Sequence, residues 1–167
     1  MMNKVQFTAE QFTPTKWNTR EDKAKFCQQF VRLVEGGFAE TLFPKWFYAR
    51  LSMAFGHIAH YNIVGFYDTW FSDERKQLDF LEYTARYTAC GDPAWTYSDA
   101  EHVIQRWLMQ SGLIEKYRAI VAGKAEASER ALLAHPKQKY EEPGKGTVKL
   151  QSSLWDEIEQ RLTPDAQ

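Results

Sequence analysis

The sequence lacks the features that would place it in several large classes of protein. No apolar run approaches the roughly 18 to 20 residues that a transmembrane helix needs, and the first six residues lack the apolar stretch of a signal peptide. The formal net charge is only −1, so composition gives no electrostatic reason to expect a protein that coats DNA or RNA. We therefore expect a soluble, cytoplasmic protein without a membrane partner.

Cysteine is scarce, and its placement argues against a disulfide or zinc framework. Cys27 and Cys90 lie in no CxxC motif, and no secretory signal precedes them. Both are predicted to be reduced thiols. Cys27 falls beside core positions inside a predicted helix, which favours an inert packing role, whereas Cys90 precedes Gly91 in a predicted turn and is expected to be the more accessible thiol.

Catalytic signatures are also missing. No GxxxxGK[ST], GxGxxG or GxSxG segment occurs, so a P-loop, a dinucleotide-binding fold and a nucleophile elbow have no support. The adjacent Glu141 and Glu142 fall in a segment rich in helix breakers, where solvation and motion disfavour general acid-base work. The question of an enzyme stays open at this point, and a non-enzymatic protein is the favoured interpretation.

Helical periodicity dominates what the sequence does contain. Apolar residues recur at intervals of three and four, and capping residues or breakers separate the runs. The predicted helices cover residues 20–35, 44–58, 72–87, 98–111 and 113–134. The predicted fold class is therefore mainly α, a compact bundle of about five helices.

Two local patterns refine this prediction. Ser98 and Glu101 match a capping box, in which the serine oxygen accepts a backbone N–H of the first turn and the glutamate reaches back. The segment 61–67 mixes a β-branched pair with Asn and Gly, and this pattern leaves a turn, a kink or a resumed helix open.

The two ends of the chain carry short alternating segments. Residues 4–8 and 147–150 alternate polar and apolar side chains, as short strands do. Charges and breakers at 136–146 predict a linker or mobile loop. We expect a helical core domain at 1–135, this linker, and an appendage of strand and C-terminal helix at 147–167. The appendage docks either on its own domain, with the two terminal strands paired, or on another subunit or partner.

Aromatic residues are abundant, at 15% of the chain. A short chain can fill its core with such rings, yet the segments 46–50 and 66–71 hold more rings than one helix face can bury. Trp, Tyr and Arg also dominate binding hot spots. The predicted partner-binding residues are Trp46, Tyr48, Arg50, Phe66, Tyr67 and Trp70.

A pair of histidines suggests a metal site as an alternative. His57 and His60 lie three residues apart, and Asp68 follows closely enough to complete a two-histidine, one-carboxylate set for a divalent metal. The spacing differs from HExxH and supplies no general base. Histidines that hydrogen-bond within helix packing or cap a helix end are the favoured explanation of the pattern, so we expect no cofactor, with a divalent metal as the alternative.

The leading functional hypothesis is a non-enzymatic module that binds a larger protein partner through aromatic and arginine side chains. In general character the small, motif-free chain resembles inhibitors of host defence complexes that phages and plasmids encode, including anti-CRISPR proteins, although no matched residue carries this resemblance. A metal-binding protein or metal-dependent enzyme is the first alternative. A helical nucleic-acid-binding protein is the second, although basic residues are sparse and acidic residues interleave with them.

Overall fold

The computed structural model describes residues 5–56 and 62–140, and in these ranges the protein is all-helical. The helices are α1 (Arg20–Glu35), α2 (Lys45–Leu51), α3 (Ile63–Trp70), α4 (Glu74–Arg86), α5 (Ser98–Ser111) and α6 (Leu113–Tyr140), with 3-10 turns at Ala9–Gln11 and Glu40–Leu42. This architecture confirms the predicted mainly α class, with six helices in the described ranges.

Short polar side chains set where three of the helices begin. Thr19 caps α1 and forms a reciprocal capping box with Asp22. Asn62 caps α3, and Asp73 caps α4, each accepting a backbone N–H from the residue three positions on. The Asn62 cap decides the ambiguous segment 61–67, because it starts a new helix at Ile63.

The second helix is shorter than the predicted 44–58. It ends at Leu51, and the chain then turns through Phe55 and Gly56, whose φ angles of 54° and 65° lie in the left-handed region. Ala54 and Phe55 are nevertheless fully buried. The apolar spacing therefore identified buried positions correctly but not the backbone that carries them, and Ile58 lies outside the described residues.

Phe55 holds a conformation that side chains with a Cβ rarely adopt. Its backbone N–H donates to the carboxylate of Glu101 at 2.7 Å, and its carbonyl accepts the hydroxyl of Tyr83 at 2.8 Å. These two bonds, together with the buried ring, offset the steric cost of the positive φ.

The predicted N-terminal strand is wrong, since the described residues 5–8 form no strand. Val5 and Phe7 do pack against the core, which explains the alternation. A strand also needs a neighbouring strand for its backbone hydrogen bonds, and instead Thr8 leads into the 3-10 turn Ala9–Gln11. The predicted partner strand at 147–150 and the C-terminal helix lie outside the described residues.

Helix α1 organises the core. It packs against α2 and α5, while α4 packs against α3 and α5. Ten of the eleven phenylalanines are buried, and most of these make close ring contacts with another phenylalanine. Cys27 is buried among them, as predicted, and burial raises the pKa of its thiol, which keeps it protonated and inert.

The chain divides into two compact units, Met1–Gly123 and Lys124–Gln167. The core described above belongs to the first unit. In the second unit, residues 124–134 are exposed, as their low apolar content predicted. Helix α6 ends at Tyr140, inside the segment 136–146 assigned above to a linker, and the rest of that segment lies outside the described residues. None of the helices described is long and apolar enough to cross a membrane.

Candidate functional site

The six predicted partner-binding residues do not share one exposed face. Trp46 is exposed, Phe66 is fully buried with 1% of its surface exposed, and the other four are partly buried. The two extremes lie on different helices, since the exposed Trp46 is on α2 and the buried Phe66 is on α3, while each helix also carries two of the partly buried residues.

The rings of α3 are mostly used inside the molecule. The hydroxyl of Tyr67 donates to the carbonyl of Phe38 at 2.6 Å. Phe66 stacks on Phe43 with ring centroids 5.9 Å apart, and Trp70 contacts Phe80 edge-on at the same distance. The aromatic run 66–71 is therefore largely explained by core packing.

The predicted metal site falls mainly outside the described residues, because His57 and His60 both lie there. Asp68 is described and exposed, and its backbone carbonyl accepts hydrogen bonds from Ser72 and Lys76. Within the described ranges no group of three or more His, Cys, Asp or Glu side chains could hold a metal ion. The histidine site stays a prediction.

A cleft of about 460 Å³ opens on the first unit. Residues of four segments line it: the loop before α1, the end of α2 with the turn after it, the chain after α4, and the turn that enters α5. Three large apolar side chains on its rim are mostly exposed, namely Trp17 at 67%, Met53 at 62% and Trp95 at 63%. We call the cleft and these three rim residues the tryptophan cleft.

The exposed rings carry cations beside them. Trp17 and Trp95 meet edge to face with centroids 6.2 Å apart, and the Lys16 ammonium lies 5.8 Å from the Trp17 ring. On α2, Trp46 lies one helical turn before the cleft residue Arg50, and the Lys25 ammonium lies 4.6 Å from its ring. Apolar and cationic surface thus continues from the cleft along α2.

A fully buried lysine fixes the turn that carries Trp95. The Lys23 ammonium donates to the carbonyls of Pro93 and Thr96, at 2.8 and 2.9 Å, and to the Asp99 carboxylate at 2.8 Å. A buried ammonium is costly unless its donors are used. Here all three donors have acceptors, so the turn 92–97 is held firmly against α1.

The first turn of α5 holds two more of the lining segments through its carboxylates. The second oxygen of Asp99 accepts the backbone N–H of Thr13 at 2.8 Å, in the loop that carries Trp17. Glu101 accepts the N–H of Phe55, in the turn that carries Met53. Two acidic residues of one helical turn therefore hold two separate loops in place, and Asp99 also accepts a hydrogen bond from the Lys23 ammonium that holds the turn 92–97.

These contacts overturn the predicted capping box. No side chain caps α5, and Glu101 bonds to Phe55 rather than reaching back along its own helix. The Ser98 hydroxyl donates to the carbonyl of Gly91 at 2.8 Å. The sequence matches the motif, but in the fold Ser98 and Glu101 bond to residues outside their own helix.

The cleft contains polar groups without partners. Asn18 Oδ1 and the Tyr97 hydroxyl are buried and have no hydrogen-bond partner among the described residues. Burial raises the pKa of Tyr97 to about 12, so the phenol is a neutral donor near pH 7. Arg50 is half-buried and makes no ion pair within the part of the chain that the structure describes.

Glu101 and Cys90 both line the cleft, but Glu101 is buried and Cys90 is exposed. Burial raises the pKa of Glu101, and the hydrogen bond from Phe55 opposes that effect. The Cys90 thiol is exposed and lines the cleft, in agreement with its predicted position in a turn.

The sequence reasoning missed Trp17, Met53 and Trp95. A usable signal was present for the two tryptophans, because each lies in a loop beside a proline, Pro14 or Pro93, and outside any helical periodicity. A large ring in such a loop has no helix face to bury it. Comparison of the chain with protein-family models, curated proteins and solved structures gives no match, so the functional assignment rests on the geometry of the cleft.

Proposed function

We propose that the protein is a non-enzymatic module that binds a segment of a larger protein partner in the tryptophan cleft. The observation that carries this proposal is the exposed rim of Trp17, Met53 and Trp95 in a molecule that buries nearly all of its phenylalanines. Tryptophan is the residue most enriched at binding hot spots, and clustered exposed apolar side chains are typical of interaction surfaces.

The support beneath the rim favours a binding role over a loose surface patch. Lys23, Asp99 and Glu101 hold the loops with hydrogen bonds of 2.7 to 2.9 Å. A surface that is ordered before its partner arrives loses less conformational entropy on binding. The exposed Trp46 ring on α2 and the Lys25 ammonium beside it extend the apolar and cationic surface beyond the cleft. A surface of this extent favours a macromolecular partner over a small ligand confined to the cleft.

Such a module would suit an inhibitor of a host defence complex, the class that the sequence resembles in general character. A stoichiometric inhibitor needs no catalytic group, since it acts by covering a surface that its target uses. This biological setting is part of the proposal and depends on the identity of the partner.

Affinity capture with matched variants tests the proposal. The full chain is used as bait in lysate of its native host, with and without nuclease, beside a Trp17→Ala/Trp95→Ala variant. Met109→Ala is the control, because Met109 is equally exposed but lies on α5 outside the cleft lining. We expect a protein partner that the wild type and the control retain and the double variant loses.

Two results would contradict this assignment. A partner that the double variant captures as well as the wild type would place the binding surface elsewhere. Capture that disappears with nuclease would favour the nucleic-acid alternative. Equal melting temperatures of the three proteins ensure that a loss of capture reflects the surface and not unfolding.

A further inference from the structure

We infer that the tryptophan cleft recognises an acidic peptide segment, in which a carboxylate side chain lies next to a large apolar or aromatic one. This inference rests on the proposed protein-binding function and names the chemistry of the segment. It follows from three properties of the cleft: a cation without an anion, two buried polar atoms without partners, and an apolar rim.

Arg50 supplies the cation. Its side chain lines the cleft and makes no ion pair among the described residues. The guanidinium pairs with a carboxylate through two parallel hydrogen bonds, and such a pair is stronger where water is partly excluded. Arg50 and Tyr97 line the same cleft, and the positive charge of Arg50 lowers the pKa of the Tyr97 phenol, against the larger raising effect of burial.

The two polar atoms without partners complement a peptide. The phenol of Tyr97 is a neutral donor and Asn18 Oδ1 is an acceptor, and both atoms are buried in the wall of the cleft, so a bound peptide would pair with them only after these side chains turn toward it. Both side chains are more than nine-tenths buried. A buried polar atom without a partner carries a desolvation cost, and a ligand that supplies the missing partner recovers it.

The rim supplies the apolar half of the site. Trp17 and Trp95 present two ring faces inclined by 62°, and Met53 contributes a flexible thioether side chain to the same rim. Inclined rings with an adaptable neighbour suit one bulky side chain, aromatic or aliphatic. Arg50 and the three rim residues line one cleft, so a segment whose carboxylate pairs with Arg50 would present its neighbouring side chains to the same cleft.

The charges around the cleft favour a peptide over a nucleic acid. Lys16 and Lys25 flank exposed rings, as they would on a surface that stacks nucleobases. Asp22 and Asp99, however, lie near enough to Tyr97 to raise its pKa, and Glu101 lines the cleft. A polyphosphate chain would meet these carboxylates, whereas a single acidic side chain can face Arg50 alone.

The test selects binders from a random peptide library displayed on phage, with the full chain as the immobilised target. We expect selected peptides to carry Asp or Glu beside an aromatic or large aliphatic residue. Replacing that acid by its amide should weaken binding to the wild type about tenfold and should change binding to Arg50→Met less than twofold. Arg106→Met, an exposed arginine outside the cleft lining, is the matched control and should behave as wild type.

Several results would overturn the acidic-peptide inference: no selected peptide, a neutral or basic consensus, or an amide penalty that Arg50→Met leaves intact. Displacement of the peptide by oligothymidylate with a steep dependence on salt would assign the cleft to nucleic acid instead. If partner capture still depends on Trp17 and Trp95 while peptides show no acidic requirement, only the inference fails. If neither capture nor peptide binding depends on those tryptophans, the proposed function fails as well.

Discussion

Phenylalanine and tryptophan occupy opposite places in this molecule. Ten of the eleven phenylalanines are buried, whereas three of the five tryptophans in the described ranges are exposed, namely Trp17, Trp46 and Trp95. Phenylalanine has no polar atom that burial would leave unsatisfied, while the indole of tryptophan combines a broad apolar face with an N–H donor. High aromatic content thus serves two regions with different chemistry, a core and a surface.

The two regions are also held together by different forces. The core rings support one another through close packing, as in the cluster of Phe30, Phe38, Phe71 and Phe80. The loops of the tryptophan cleft are instead held by the hydrogen bonds of Lys23, Asp99 and Glu101. Substitutions in the core should therefore reduce stability, whereas substitutions on the cleft rim should reduce binding.

The largest expected effect is on stability and comes from the core. Phe80→Ala removes a fully buried ring whose aromatic neighbours include Phe30, Phe38 and Phe71, and should lower the free energy of unfolding by about 3 to 5 kcal/mol. Trp95→Ala, the matched change on the rim, should cost about 1 kcal/mol or less, since it loses mainly one edge contact. Urea titration measures both. Similar losses for the two variants would mean that the rim belongs to the core.

The next effect tests the support beneath the cleft. Lys23→Met leaves the Asp99 carboxylate and two backbone carbonyls without their shared donor, and should lower the free energy of unfolding by about 3 kcal/mol. Lys25→Met is the control two residues away, because the Lys25 ammonium only lies over the exposed Trp46 ring. It should cost about 0.5 kcal/mol. Equal behaviour of the two variants in urea would remove the assigned role of Lys23.

A smaller, pH-dependent effect should come from Glu101. Burial raises its pKa in the folded state above the ordinary value of 4.5, so the unfolded chain ionises first as the pH rises. This group therefore opposes folding increasingly above pH 4.5, until the folded state ionises too and the penalty becomes constant. Glu101→Gln keeps an oxygen for the Phe55 N–H without a charge. The difference in melting temperature between this variant and the wild type should shift in favour of the variant, by a few degrees or less, from pH 4 to pH 7. A shift in favour of the wild type would contradict the assigned burial effect.

The smallest effect on stability should accompany thiol labelling. N-ethylmaleimide should modify exposed Cys90 and spare Cys27, whose burial raises its pKa. Mass spectrometry of the native protein should show one adduct and an almost unchanged melting temperature. A bulkier maleimide on Cys90 should also block partner capture, whereas Cys90→Ser without the label should not. Two adducts on the folded protein would show that the core opens readily.

The sequence predicted the regions of the fold that depend on local periodicity. Apolar spacing identified the buried face of α1. The segment 61–67 was left open until the structure showed the Asn62 cap, and the helix predicted from residue 72 begins after the Asp73 cap. The sequence-based prediction failed where a side chain bonds to a residue far away along the chain. Glu101 resembled half of a capping box but bonds to Phe55, and alternation at 4–8 reflected burial without a strand.

The candidate site was predicted only in part for the same reason. Trp46 and Arg50 were predicted because the segment 46–50 holds more rings than one helix face can bury and because Trp and Arg are common at binding hot spots, and the structure adds Arg50 to the cleft lining. Trp17 and Trp95 lie far apart in sequence, and their rings are in contact in the fold. The bond between Lys23 and Asp99 helps to hold the two loops together. No local pattern encodes such a meeting, since it requires the docking of α1 against α5.

The anchoring of the cleft loops by α5 has a consequence for the order in which surfaces form during folding. The bonds from Asp99 to Thr13, from Lys23 to Asp99 and from Glu101 to Phe55 span 86, 76 and 46 residues of chain. Contacts of such long sequence separation are formed only when the distant segments have already come together. The backbone amides of Thr13 and Phe55, although in loops, should therefore exchange with solvent through global rather than local opening, and a partly folded chain would not yet present a formed cleft to its partner.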